Sequence, residues 1–198
     1  MLFVPVDFPA SNVREFIAYV RANPQRVNYG SAGIGNITHL SMAYVEKSKG
    51  LRMTHVPYKG LAPVIQDMLA GQVQAAFGVP SAVEPYVKAG KLKALGISGS
   101  QRAKVLPSVP TFTESGFPDI QSNLNMGLFA PRGTPAEVVD AVAGTVRKIL
   151  LEPEFRTKYI DNVAFEVAAS TPREFSAFIA KDKPLQKARI EMSGAKLD

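Results

Sequence analysis

The chain has 198 residues, of which 46% are hydrophobic and 20% charged, with a formal net charge of +6 and no cysteine. This length and composition allow a substantial hydrophobic core, and the lack of cysteine excludes disulfides and thiolate chemistry. The basic residues are scattered, which argues against a nucleic-acid-binding arm. No apolar run approaches the roughly 18 residues needed to cross a bilayer, and no signal-peptide pattern follows Met1.

Strand and helix patterns alternate along the first half of the chain. A strand at 2–6 precedes a helix for which Ser11 is the expected N-cap, and an apolar stretch follows at 27–29. The alternation then continues with helix 37–48, strand 52–57, helix 62–70, strand 72–77, helix 81–89 and strand 92–98. Short links with Gly or Pro between such elements predict an α/β fold, a parallel sheet with helices on both faces.

The second half is less regular. The proline-rich stretch 106–121 is predicted to cross into a different region of the protein. Beyond it the patterns predict strand 124–130, helix 135–151, a short helix from Pro153, strand 163–168 and a last helix capped by Thr171.

The most informative motif is the glycine-rich turn that follows the apolar stretch at 27–29. Gly30, Gly33 and Gly35 allow a tight turn and a close backbone approach, and Asn36 or Thr38 can cap the next helix. Unpaired N–H groups at a helix start favour an anion by roughly 0.3–1 kcal/mol when exposed. The glycine spacing matches neither a dinucleotide fingerprint nor a phosphate loop, so the motif predicts a cradle for a small anion such as a carboxylate.

Several separate motifs resemble, in order, those of the receptors of tripartite tricarboxylate transporters, also called Bug proteins. The motifs are Asn28–Gly33 with His39 and Leu40, His55–Gly60, Leu69–Val73, Ala89–Leu95, Leu106–Thr111, Gly127–Pro131 with Gly133–Pro135, and Lys196–Asp198. They span essentially the whole chain.

The resemblance implies a two-lobe periplasmic-binding fold of type II, with the ligand held between the lobes. It assigns 11–105 to the second lobe, 106–121 to the crossover, and 1–10 together with 122–198 to a remnant of the first lobe. Family members open with a strand and a Pro-Gly-Gly loop, and this sequence starts after the corresponding point. We therefore expect an incomplete first lobe. Exposed sheet edges and apolar helix faces would then favour disorder, strand exchange or a homodimer.

The resemblance also implies the ligand-binding residues, which belong to two neighbouring turns. They are Ser31, Ala32, Gly33, Gly35, Asn36 and His39 in the first turn, and Tyr58, Lys59 and Gly60 in the second. Backbone donors would hold the carboxylate, Ser31 and Asn36 would orient it, and water bridges would let the site accept related acids. Gly78 stands where the family commonly has an aspartate that points into the cleft, which favours a plain or aromatic carboxylate over an amino acid.

Three of these residues could instead serve the fold rather than the ligand. His39 is either a ligand contact or a histidine satisfied within the fold, and Lys59 is either a solvated turn residue or a cation beside the anion site. Tyr58 is read as packing rather than recognition.

By this resemblance the protein is an extracytoplasmic, periplasmic solute-binding receptor that delivers a small organic acid to membrane permease subunits. No cofactor, metal, nucleic acid or catalytic residue is expected. Two alternatives stay open: an effector-sensing domain of the LysR type, which shares the two-lobe plan, and a serine hydrolase built on Ser31, His39 and Asp67. The sequence Gly30–Gly33 is not the G-x-S-x-G elbow of such hydrolases.

Overall fold

The computed structural model describes residues 1–160 and 165–195. Its strands are β1 (Leu2–Pro5), β2 (Asn28–Ser31), β3 (Thr54–Pro57), β4 (Ala75–Phe77) and β5 (Leu92–Gly96). Its helices are α1 (Val13–Ala22), α2 (Ile37–Ser48), α3 (Leu61–Leu69), α4 (Pro80–Lys88), α5 (Ala136–Leu151), α6 (Pro153–Phe155) and α7 (Pro172–Ser193), with a π-helical turn at Arg156–Ile160. No helix in the described part of the chain is both long and apolar enough to span a membrane.

The five strands form one mixed sheet in the order β3-β2-β4-β1-β5. The pairs β2–β3 and β2–β4 are parallel, whereas β1 is antiparallel to both β4 and β5. The expectation of a purely parallel sheet is therefore corrected at β1. The grouping of residues 1–10 with 122–198 also differs from the structure, because β1 pairs inside the sheet that holds the rest of the 11–105 region.

Helices cover both faces of the sheet, because alternate side chains of each strand point to opposite faces. Leu2, Val4 and Tyr29 belong to the main core cluster, to which α1 and α2 also contribute. On the other face, Gly30 leaves room for Val64 of α3, whose Cγ1 would lie only 2.5 Å from a Cβ added at that glycine.

Helix starts follow local capping signals. The N-cap of α1 is Asn12 rather than the predicted Ser11, and its Oδ1 accepts a hydrogen bond of 2.9 Å from the Glu15 amide. At α7, Thr171 Oγ1 accepts from the Glu174 amide, and the Glu174 carboxylate accepts from the Thr171 amide. This reciprocal capping box is the cap predicted at Thr171.

The chain divides into two compact units. Unit 1 contains residues 1–123 and 188–198, and unit 2 contains 124–187. The stretch 106–121, predicted as a crossover, lies in unit 1, where Phe112 and Ile120 are buried.

The strand predicted at 124–130 is not formed, and 165–168 is irregular as well. The remainder of the predicted strand 163–168 and the motif Lys196–Asp198 lie outside the described residues. A strand needs a hydrogen-bonding neighbour, and among the described residues no strand pairs with 124–130.

Candidate functional site

The residues predicted to bind a ligand gather at the carboxyl ends of three parallel strands. The neighbouring strands β3, β2 and β4 each run into a turn and then a helix, so the N-termini of α3, α2 and α4 lie at the same end of the sheet. The first two turns are in contact, because the Tyr58 amide donates a 2.9 Å hydrogen bond to the Ser31 carbonyl. Crevices at the carboxyl ends of strands in α/β sheets are common ligand sites.

The β2–α2 turn, residues 32–36, is called the cradle below, and most of its amides have protein partners. The Ala32 amide donates to Thr38 Oγ1 at 2.8 Å, and the Gly35 amide donates to His39 Nδ1 at 3.2 Å. The Gly33 amide donates to Ser31 Oγ, and the Asn36 amide donates to the Gly33 carbonyl. The expectation that these amides are free for a ligand is therefore corrected, because nearby side chains and one backbone carbonyl accept their hydrogen bonds.

Two other amides at the cradle remain available. Among residues 1–160 and 165–195, the N–H groups of Ile34 and Ile37 have no hydrogen-bond partner, and the Ile34 residue is 56% exposed. Asn36 is the N-cap of α2, since its Oδ1 accepts from the Thr38 amide and hydroxyl at 3.1 Å. The Asn36 side-chain NH2 keeps its donors free of partners in the described part of the chain, so three donor groups surround the start of α2.

Ser31 does not face solvent. It is fully buried, and its Oγ lies 2.6 Å from His55 Nε2 and 3.3 Å from the Gly33 amide nitrogen. The Ser31 hydroxyl is therefore not exposed to orient a ligand, contrary to the prediction from the sequence. Ser31 instead accepts a hydrogen bond from the cradle.

Three aromatic rings form a column under the cradle, called the ring column below. Tyr29 stacks on His55 with centroids 4.8 Å apart, and His55 stacks on His39 at 4.1 Å with an interplanar angle of 12°. Because His39 Nδ1 accepts the hydrogen bond from Gly35, His39 is neutral with its proton on Nε2. The Nδ1 atom of His39 is thus satisfied within the fold, and a ligand contact through the rest of the ring stays a prediction.

Burial dominates the electrostatics of this column. It lowers the pKa of His39, and burial together with the neighbouring His39 lowers the pKa of His55 to about 4. The pKa of Tyr29 is raised, first by burial and then by the Glu46 carboxylate. All three rings are therefore uncharged at neutral pH.

The second turn contributes a cation and an uncapped helix start. Tyr58 donates its hydroxyl proton to Asp67 at 2.7 Å, and burial and this carboxylate raise the pKa of Tyr58 to about 12. Gly60 is the N-cap of α3 with a φ of 131°, and no side chain caps this helix. Lys59 is exposed beside it. A positive side chain and unpaired amides together favour an anion here.

The family profile of the tripartite tricarboxylate transporter family receptor matches residues 1–194. The chain belongs to this receptor family. One relative, the UPF0065 protein in the gbd 5' region of Cupriavidus necator, is 34% identical over 98% of this chain and 58% of its own length. BugT of Bordetella pertussis is 29% identical over 91% of this chain and 55% of its own length.

This chain is also similar to solved structures of binding proteins. R. palustris Rpa4515 with adipate has a TM-score of 0.86 and 27% identity, covering 98% of this chain and 65% of that one. MatC (Rpa3494) from Rhodopseudomonas palustris with bound malate has a TM-score of 0.71 and 29% identity, covering 98% and 64%. The resemblance and the periplasmic-binding type of fold are confirmed. The receptor-family chain spans little more than half of the two relatives and about two thirds of the two solved chains.

Gly78, at the position where the family commonly has an aspartate that points into the cleft, is enclosed by other residues. A Cβ at this position would lie 2.9 Å from Leu61 Cδ2 and 3.0 Å from Phe3 Cε1, and the residue is buried. Its carbonyl accepts a hydrogen bond from the Met1 amino group. In this receptor-family chain a side chain at position 78 would therefore meet packed apolar groups.

The geometry does not form the hydrolase triad considered from the sequence. The histidine at Ser31 is His55, Asp67 instead bonds Tyr58, and the Ser31 hydroxyl is buried away from any substrate. Sequence reasoning missed the role of His55. The available signal was strand register: Tyr29 and Ser31 lie on one face of β2, and the parallel partner β3 places His55 opposite Tyr29.

Proposed function

We propose that this protein acts as a periplasmic solute-binding receptor, which captures a small carboxylate at the carboxyl end of its sheet and delivers it to membrane permease subunits. The proposal rests on membership of the receptor family over residues 1–194. Relatives solved with adipate and with malate indicate the chemical class of the solute.

One structural observation carries the proposal for this chain's own site. The free amides of Ile34 and Ile37, the Asn36 side-chain NH2 and the exposed Lys59 all lie around the same pair of turns. A carboxylate has about four lone-pair sites for such donors, and hydrogen bonds to an ionised group are about twice as strong as neutral ones. Water bridges would extend the same donors to acids of different length.

Amide chemical shifts locate a ligand even when it binds weakly. We expect adipate to shift the backbone amide signals of Ile34 and Ile37 in ¹⁵N-labelled protein, whereas 1,6-hexanediol, an uncharged molecule of equal chain length, leaves them in place. Equal shifts with both molecules, or adipate shifts confined to other residues, would refute the proposed site.

A charge-removal pair tests Lys59. Lys59→Met should weaken adipate binding about two- to fivefold at low ionic strength, the effect of one exposed charge near a helix start. Lys47→Met removes another exposed lysine, in the last turn of α2, and serves as the matched control. Identical affinities for the two variants would exclude Lys59 from the site.

A further inference from the structure

The ring column joins three elements beneath the cradle. Tyr29 comes from β2, His55 from β3 and His39 from α2, and the rings are parallel to within 18°. Each imidazole contacts the cradle, or the strand residue directly before it, through one ring nitrogen. His55 Nε2 meets Ser31 Oγ at the start of the turn, and His39 Nδ1 meets the Gly35 amide near its end.

The two contacts respond differently to protonation. The hydroxyl of Ser31 both donates and accepts, so it can pair with His55 in either protonation state. The Gly35 amide only donates, so it requires a lone pair on His39 Nδ1. A proton at that nitrogen would set two N–H donors against each other at 3.2 Å.

The surroundings offer little compensation for a positive charge. Among the residues that the structure describes, the titratable groups that contact or act on the column are the two imidazoles, Tyr29 and Glu46. Tyr29 is neutral, and the Glu46 carboxylate is engaged with the Met53 amide at 2.8 Å. A cation on either imidazole would also face the other ring only 4.1 Å away.

We infer that His39 is a positioning residue, which holds the cradle in its solute-accepting shape only while it is neutral, so that acid releases the cradle and with it the solute. The role in solute binding rests on the proposed function. The hydrogen bond to Gly35 fixes the end of the turn between Ile34 and Ile37, the two residues with free amides. Loss of that bond lets the two amides turn away from a common acceptor. The lowered pKa values of both histidines indicate that this happens below the ordinary histidine range.

The experiment compares two substitutions of His39 in the whole chain. His39→Asn places an amide oxygen near the position of Nδ1 and cannot titrate, whereas His39→Leu fills similar space without an acceptor. The first readout needs no ligand: the Gly35 amide shift is followed from pH 7.5 to 4, with the Phe3 amide of β1 as the internal reference for folding.

In the unmodified chain the Gly35 signal should move together with the imidazole signals of His39, while Phe3 stays in place. In His39→Asn the pH-dependent movement should disappear, and adipate affinity at pH 7.5 should stay within about threefold. In His39→Leu adipate affinity should fall at least tenfold with the Phe3 signal unchanged. Comparison with His39→Asn in the same buffers corrects for protonation of adipate itself.

A Gly35 amide signal that stays in place while His39 titrates would overturn the inference, as would full adipate affinity in His39→Leu. If adipate fails to bind the unmodified chain, the proposed function fails for that acid, and the Gly35 titration still decides whether His39 positions the cradle.

Discussion

Unit 1 and unit 2 differ in what surrounds their apolar side chains. In unit 1 a continuous cluster that includes Val13, Phe16, Phe77 and Leu95 is almost completely buried. In unit 2 none of the described residues is buried. Its exposed large apolar residues are Leu124, Met126, Leu128, Phe129, Val138, Val142, Ile149, Leu151, Tyr159, Phe178, Ile179 and Leu185.

The secondary structure of the two units has different origins: local signals in unit 2, and pairing between strands in unit 1. Unit 2 still contains α5 and most of α7, which local signals such as the Thr171 capping box favour without tertiary contacts. Strands appear only in unit 1, as far as the described residues show, because each strand there has a hydrogen-bonding neighbour. Since helices in water gain most of their stability from packing, unit 2 should be the weaker unit. The expected homodimer, which would cover such apolar faces, stays a prediction.

The largest expected difference comes from removing one leucine side chain in each unit. Leu95 is 1% exposed in β5, and Leu185 is 57% exposed in α7. Leu95→Ala should lower the free energy of unfolding by about 2–5 kcal/mol because it leaves a cavity, whereas Leu185→Ala should change it by less than about 0.5 kcal/mol.

Urea unfolding followed by far-UV circular dichroism measures both changes. A large loss in Leu185→Ala that grows with protein concentration would show that a second copy covers α7, and the contrast between the units would then be wrong.

Much of the helical framework was predictable because its signals are local. The sequence predicted helix 37–48, and α2 spans Ile37–Ser48 with Asn36 as its cap. Thr171 likewise caps the start of α7, as predicted. Such signals act within one turn of helix, so a single sequence displays them directly.

Long-range pairing was not predictable in the same way. The insertion of β1 between β4 and β5 joins residues more than seventy positions apart, such as Leu2 and Phe77. At the site, the sequence located the two turns but not the direction of their amides. That direction depends on Thr38 and on the contact between Ser31 and His55, which only the strand register creates.

The smallest expected effects come from replacing one glycine by alanine in each unit. The substitution should lower the stability of unit 1 and raise that of unit 2. Gly30→Ala in β2 would place a Cβ 2.5 Å from Val64 Cγ1, and the β-branched valine can yield only by moving α3. We expect a loss of about 1–3 kcal/mol, the usual cost of overpacking a core. Gly144 in α5 has no atom within 4 Å of its added Cβ and no positive φ.

Gly144→Ala should therefore stabilise α5 by roughly 0.5–1 kcal/mol, because alanine loses less backbone freedom than glycine in a helix. Amide hydrogen exchange measures both variants: protection should rise in α5 for Gly144→Ala, with unit 1 unaffected, and should fall across β2 and β4 for Gly30→Ala. In a helix whose apolar face is not packed, intrinsic propensity decides stability, so the gain should appear in full. A loss of protection in Gly144→Ala would mean that another surface packs closely against α5 in solution, and unit 2 would then have a core that its own residues do not supply.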